Sequence, residues 1–172
     1  IRIKDPFLYV ILPTGEGYSN GSKMGTQGAE VQYLIKDKWG KIELNYSYYK
    51  NNKNEVADYK VPGKKDLNLA FPQHKINIIA TYNVTQDLTF NFNSTYLTER
   101  YKYTANGYKK EDPLLLINSN LLYQGLYDMD VNVGVKNLLD AKYNYIQPYN
   151  GGHSELPSRG REYFISLMYN FW

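Results

Sequence analysis

The chain has 172 residues, enough for one domain, with a formal net charge of +3, 19 tyrosines and no cysteine. The lack of cysteine excludes disulfides and thiolate metal sites. The small net charge, with no long lysine or arginine run, excludes a nucleic-acid groove. Mean hydropathy is negative, and no apolar run reaches the roughly 18 residues of a membrane helix. A β-barrel hides its apolar surface by alternation and fits such a composition. The chain opens at Ile1 without a Met or a signal-peptide pattern, as expected of a mature protein or a fragment.

Residues 1–12 predict a strand with Ile3, Phe7, Tyr9 and Ile11 in one register, Pro6 suiting an edge or bulge. Residues 13–25 are a Gly/Ser/Asn-rich loop. Ala29, Val31, Tyr33 and Ile35 alternate with Glu30, Gln32, Leu34 and Lys36. After a tight turn at 37–40, Ile42, Leu44, Tyr46 and Tyr48 alternate with Glu43, Asn45 and Ser47, so the pair reads as a hairpin. Residues 51–73 are polar and read as a loop with room for a short helix. Ile76, Ile78, Ala80, Tyr82 and Val84 then alternate with Lys75, Asn77, Thr81 and Asn83. Beyond a turn at 85–87, Leu88, Phe90, Phe92, Ser94 and Tyr96 alternate with Thr89, Asn91, Asn93 and Thr95.

Residues 101–113 are again a polar loop. Residues 114–124 predict a strand, 125–128 a turn, and Met129, Val131, Val133 and Val135 alternate with Asp130, Asn132, Gly134 and Lys136. Residues 137–158 form the last long connection. In the final strand Tyr163, Ile165, Leu167, Tyr169 and Phe171 share one face, opposite Glu162, Phe164, Ser166, Met168 and Asn170.

The connections alternate between short (37–40, 85–87, 125–128) and long (13–25, 51–73, 101–113, 137–158). That alternation fits the periplasmic turns and extracellular loops of an outer-membrane barrel. The expected fold is therefore all-β: an antiparallel transmembrane β-barrel wall of about eight strands, each long enough to cross a bilayer when tilted. Val131, Val133, Ile78, Phe90 and Leu167 should face lipid, and Asn132, Asn77, Asn91 and Lys75 a watery lumen. Two other readings fit the same pattern. One is a complete small barrel of the OmpA or OmpX type with a structural or adhesive role. The other is a soluble carbohydrate-binding β-sandwich whose Tyr-rich loops form the site.

Several stretches carry a resemblance. They are Val133-Gly134-Val135-Lys136-Asn137-Leu138-Leu139-Asp140-Ala141-Lys142-Tyr143, then Pro157-Ser158-Arg159-Gly160-Arg161-Glu162-Tyr163, then Tyr169-Asn170-Phe171. Upstream lie Gly17-Tyr18-Ser19-Asn20-Gly21, Gly28-Ala29-Glu30 and Phe71-Pro72-Gln73-His74-Lys75-Ile76-Asn77. In order and spacing they resemble the C-terminal part of a TonB-dependent outer-membrane receptor, with its Asn-Leu-(Leu/Phe)-Asp-x-x-Tyr pattern and Pro-Gly-Arg-like approach to the last strand. Trp172 departs from the usual terminal Phe, and Phe171 would take the signal position.

The resemblance implies a barrel of about 22 strands with an N-terminal plug, of which residues 1–172 would be the C-terminal segment. It implies TonB-driven uptake of a ferric siderophore or similar iron complex, outer-membrane lipid around the wall, TonB contact through the plug, and barrel-assembly machinery reading the terminal strand. Tyr163, Ile165, Leu167, Tyr169 and Phe171 would be that insertion signal.

Enzyme chemistry is not expected, nor any cofactor or metal. His74 and His153 lack metal-site spacing, Ser154 lacks a triad, and Asp128 and Asp130 read as turn and lumen residues. The long loops hold Tyr59, Tyr101, Tyr103, Tyr108, Tyr143, Tyr145 and Tyr149 with cations nearby, a composition suited to a flat anionic ligand. Tyr103, Tyr108, Tyr145, Tyr149, His153 and Arg159 are the candidate ligand contacts. Arg159 and Arg161 equally suit pairing with acids of the lumen.

Overall fold

A computed structural model describes residues 2–4, 7–12, 15–20, 23–53, 59–104, 106–146, 156–169 and 171. In chain order, β1 (Arg2–Lys4) precedes a ribbon of β2 (Phe7–Leu12) and β3 (Gly15–Asn20). A long hairpin follows, β4 (Lys23–Asp37) and β5 (Gly40–Asn51), then a ribbon of β6 (Lys60–Val61) and β7 (Lys64–Asn68). The second long hairpin is β8 (His74–Asn83) and β9 (Leu88–Leu97), followed by β10 (Arg100–Thr104) and β11 (Gly107–Glu111). The third is β12 (Leu114–Leu126) and β13 (Met129–Lys136). After it come β14 (Asn144–Tyr145), β15 (Leu156–Pro157) and β16 (Glu162–Tyr169).

Eight strands form one antiparallel sheet in the order β1-β4-β5-β8-β9-β12-β13-β16. The four ribbons occupy the four long connections, all at one end of the sheet. Among the described residues no helix is long and apolar enough to cross a membrane.

Cross-strand register separates two chemistries. One face carries rows such as Tyr33, Leu44, Ile78, Ser94 and Ile117, or Phe90, Leu121, Val133 and Ile165. The other carries rows such as Gln32, Asn45, Asn77 and Thr95, or Thr81, Asn91, Asn120 and Gly134. Hydrogen bonds run between neighbouring side chains of the polar face. Thr95 donates to Asn77 at 2.9 Å, Thr81 to Asn91 at 3.0 Å and Asn120 to Asn132 at 2.7 Å. The apolar face is uncovered, with Val31 60%, Ile165 68% and Leu167 64% exposed. The buried hydrophobic residues among those described are Val61, Leu67, Leu69 and Leu114, all near the ribbon end. A soluble sandwich packs a second sheet on the apolar face; here the face stands open, as the outer wall of a barrel does.

Four expectations change. Residues 1–12 hold two strands, β1 and β2, in place of one, and Pro6 lies outside the described residues. The loop at 13–25 holds β3 and the start of β4, so β4 is 15 residues long. The loops at 51–73 and 101–113 hold two-stranded ribbons, turned at Gly63 (φ 73°) and Gly107 (φ 98°). β12 continues through a bulge to Leu126, leaving a two-residue turn at Tyr127 and Asp128, both at positive φ (52° and 62°).

Candidate functional site

The ribbon end is where chemistry concentrates. On β5, Glu43, Asn45 and Ser47 belong to the polar face, so Tyr49 and Asn51 do as well. Asn51 donates to the Lys65 carbonyl at 3.2 Å, and Asn68 donates to the Tyr49 hydroxyl. These two contacts fold the β6–β7 ribbon over the polar face instead of away from it. Val61, Leu67 and Leu69 give the ribbon its own small core, with Tyr101 packed against it. The Tyr49 ring stacks on Phe71 at 5.5 Å. Lys53, Lys60, Lys64 and Lys65 surround a pocket of about 570 Å³ on this ribbon, floored by Val61 and Leu67.

The β10–β11 ribbon docks beside it, Ala70 N–H donating to the Tyr101 carbonyl at 2.8 Å. Lys102 is buried and pairs with Glu111. Partial burial lowers the pKa of the Arg100 guanidinium, against the opposing pull of Glu111 and Tyr143. The Lys110 ammonium, at 3.0 Å from Glu99, is held above its usual pKa by that hydrogen bond.

The third element is a knot at the end of β13. Asn137, only 7% exposed and at φ 51°, donates its backbone N–H to Asn118 Oδ1 at 2.9 Å. Its side chain accepts from Ala141 N–H at 2.9 Å and donates to the Ala141 and Arg159 carbonyls at 3.0 and 3.5 Å. Asp140 accepts from Lys142 at 2.9 Å and from Arg161 N–H at 2.8 Å, and these bonds hold its carboxyl below the usual range. A side chain at Gly160 would meet Asp140 Oδ1 at 2.8 Å and would have to displace that carboxylate from its bonds. The Asn-Leu-Leu-Asp stretch and the Arg-Gly-Arg stretch are thus two halves of one clasp, setting the angle at which β16 joins the sheet.

Among the candidate ligand contacts, Tyr103 and Tyr108 pair across β10 and β11, with rings 5.0 Å apart and each a little under half exposed. Tyr145 lies 5.6 Å from Tyr143, whose own pKa is raised by burial. Arg159 reaches Glu162 at 3.2 Å. Tyr149 and His153 lie outside the described residues. Tyr163, Ile165, Leu167 and Tyr169 lie on the apolar face of β16, and the Phe171 ring lies 4.8 Å from that of Tyr169. His74 accepts or donates at 2.9 Å with the Tyr46 hydroxyl at the head of β8.

Sequence reasoning missed the clasp made by Asn137 and Asp140, whose signal was a left-handed Asn and Asp at a strand end. It also passed over the lysine pocket, because those residues were read as loop.

No family model matches the chain, and no curated protein matches it in sequence. Solved structures match it in fold. The chain is similar to the siderophore receptor PirA from Acinetobacter baumannii at 20% identity, covering 99% of this chain and 28% of that one, with a TM-score of 0.71. For the ferric enterobactin receptor mutant R480A from Pseudomonas aeruginosa, solved with enterobactin, the figures are 17%, 96%, 27% and 0.70. For the ferric-catecholate import receptor Fiu from Escherichia coli K12 they are 19%, 96%, 23% and 0.69. The chain therefore spans roughly a quarter of the length of these receptors, and the likeness is one of fold.

Proposed function

Because the chain has the β-barrel fold of TonB-dependent iron and siderophore receptors, we propose that it is the C-terminal part of such a receptor in the bacterial outer membrane. The full protein would import a ferric siderophore or a similar iron complex. The observation that carries this reading is the two-faced sheet. Its apolar face lies open along the whole wall, while its polar face is hydrogen-bonded and is overhung at one end by ribbons. A polar wall lets a hydrated ligand pass, an apolar one meets lipid, and loops over the lumen select what enters.

The roles follow from placement. The rings of Tyr103, Tyr108 and Tyr145, with Arg159 and the loop positions Tyr149 and His153, would offer stacking and charge to a flat anionic complex. A plug elsewhere in the protein would contact TonB. The barrel-assembly machinery would read Tyr163, Ile165, Leu167, Tyr169 and Phe171 on β16. Transport, with no covalent step, makes the protein a receptor instead of an enzyme.

A complete eight-stranded barrel fits less well. Among the described residues β1 and β16 do not pair, as closure of such a barrel requires.

The test is deletion of residues 144–155 in the full-length protein, followed by ferric-siderophore binding and growth on that iron source. Binding and growth should both fall. Unchanged affinity and growth at normal surface levels would assign the ligand contacts elsewhere, and no iron-complex binding by the intact protein would end the reading.

A further inference from the structure

The apolar face of the sheet is not smooth. On β12, Ser119 stands in a row with Phe92 of β9 and Val135 of β13, and between Ile117 and Leu121 along its own strand. A hydroxymethyl group among one aromatic ring and three branched aliphatic side chains leaves a dent. It opens into a cavity of about 430 Å³ walled by Phe90, Leu121, Val133, Val135 and Tyr163, all of the apolar register. Asn120, Gly134 and Phe164, of the opposite register, form its back.

A cation stands at its ribbon end. Arg161 immediately precedes β16, two residues from Tyr163 and so roughly 7 Å nearer that end. Its backbone N–H is bound to Asp140, which fixes the base of the side chain. The side chain is exposed and, among the described residues, forms no ion pair. The neighbouring acids are taken, Asp140 by Lys142 at 2.9 Å and Glu162 by Arg159 at 3.2 Å. The clasp thus sets three cations against two acids and leaves the Arg161 charge unmatched.

We propose that this slot seats one acyl chain of an anionic, phosphate-bearing membrane lipid whose headgroup meets Arg161. The proposal rests on the reading of the apolar face as a lipid-facing wall. Inside a bilayer one lipid tail is as apolar as the next, so hydrophobicity selects nothing, and retention depends on packing and polar contacts. The dent supplies the packing, because a flexible chain lying in it touches side chains on several sides where a flat wall offers one. Arg161 supplies the selection, because its planar fork bonds two phosphate oxygens at once. Slot and cation follow one another toward the ribbon end, as the tail and head of a lipid do.

The experiment uses the full-length protein in detergent, with retained lipid counted by native mass spectrometry. The probes are phosphatidylglycerol, a bisphosphorylated hexa-acyl glycolipid and zwitterionic phosphatidylcholine. Ser119→Leu fills the slot, and Val135→Phe narrows it from β13 should the first variant not fold; Ser119→Ala leaves it open. Arg161→Gln removes the charge and Arg161→Lys keeps it. The wild type and Ser119→Ala should each hold one anionic lipid, and the slot-filling variants should lose it. Arg161→Gln should lower the preference for anionic lipid over phosphatidylcholine roughly 2- to 5-fold, the scale of one exposed charge contact. Arg161→Lys should keep most of that preference.

A nitroxide at position 121, read in bilayers, separates the outcomes. Water contact there would end the lipid-facing reading and the slot with it. Lipid contact there, with no lipid retained by the wild type, with retention unchanged in the slot-filling variants, or with a preference that survives Arg161→Gln, would overturn the slot alone. Retention that depends on both residues in a protein importing no iron complex would support the slot and end the receptor reading.

Discussion

Gly134 on β13 lies directly opposite Phe164 on β16, and the phenyl ring covers the place where a side chain would stand. A Cβ at Gly134 would fall 2.6 Å from Phe164 Cζ and 2.6 Å from Asn120 Cβ. Lys136 Nζ lies 5.7 Å from the centroid of the same ring. An aromatic residue on the polar face is thus accommodated by a missing side chain across the strand and a cation beside it. Gly134→Val should destabilise the folded protein by about 1–3 kcal/mol through overpacking. Urea unfolding of lipid-refolded protein measures it, and an unchanged midpoint would mean the ring swings away freely.

Val133 sits on the opposite face between Leu121 and Ile165. Val133→Arg should cost about 2–4 kcal/mol if the residue lies near the bilayer midplane. Spin labels at positions 131 to 135 should alternate between lipid-accessible and water-accessible. A uniform response along that stretch would contradict the two-faced wall.

Asn137 is the centre of the clasp. Asn137→Ala removes the bonds to Ala141 and Arg159 and places a non-Asn residue at positive φ. The expected loss is about 1–3 kcal/mol, the scale of a buried polar group left unpaired. Amide exchange at Ala141 should accelerate while amides in mid-β5 stay protected. Equal protection in both proteins would show that the clasp contributes nothing.

Asp140 makes the clasp pH-dependent. Its carboxyl, held down first by Lys142 and then by the Arg161 N–H, binds its proton less readily when folded than when unfolded. Its stabilising contribution is therefore complete above the ordinary value of 3.8 and is lost as pH falls through the lower folded value. Exchange at the Arg161 amide should rise below about pH 4 on this basis, and Asp140→Asn should remove the pH dependence.

The paired rings of Tyr169 and Phe171 bear on assembly. Phe171→Ser should lower the amount of full-length protein in the outer membrane while leaving export to the periplasm intact. Fractionation with quantitative blotting reads both, and normal outer-membrane levels would remove Phe171 from any insertion signal.

Alternation is local, and so the sequence by itself determined the wall. Val131, Val133 and Val135 fall on one side and Asp130, Asn132 and Gly134 on the other whatever strands lie beside them, because successive side chains of any strand point oppositely. The short connections were equally legible, since two- to four-residue turns depend on residues next to one another. Tertiary structure alone decided what the long connections do. Lys53 and Lys65 are brought to one pocket by a ribbon turn and by a bond from Asn51, and no periodicity announces that. Asn137 and Arg159 are joined across 22 positions. Such contacts depend on register between distant segments and on how far a ribbon leans over its sheet, and neither quantity is carried by neighbouring residues.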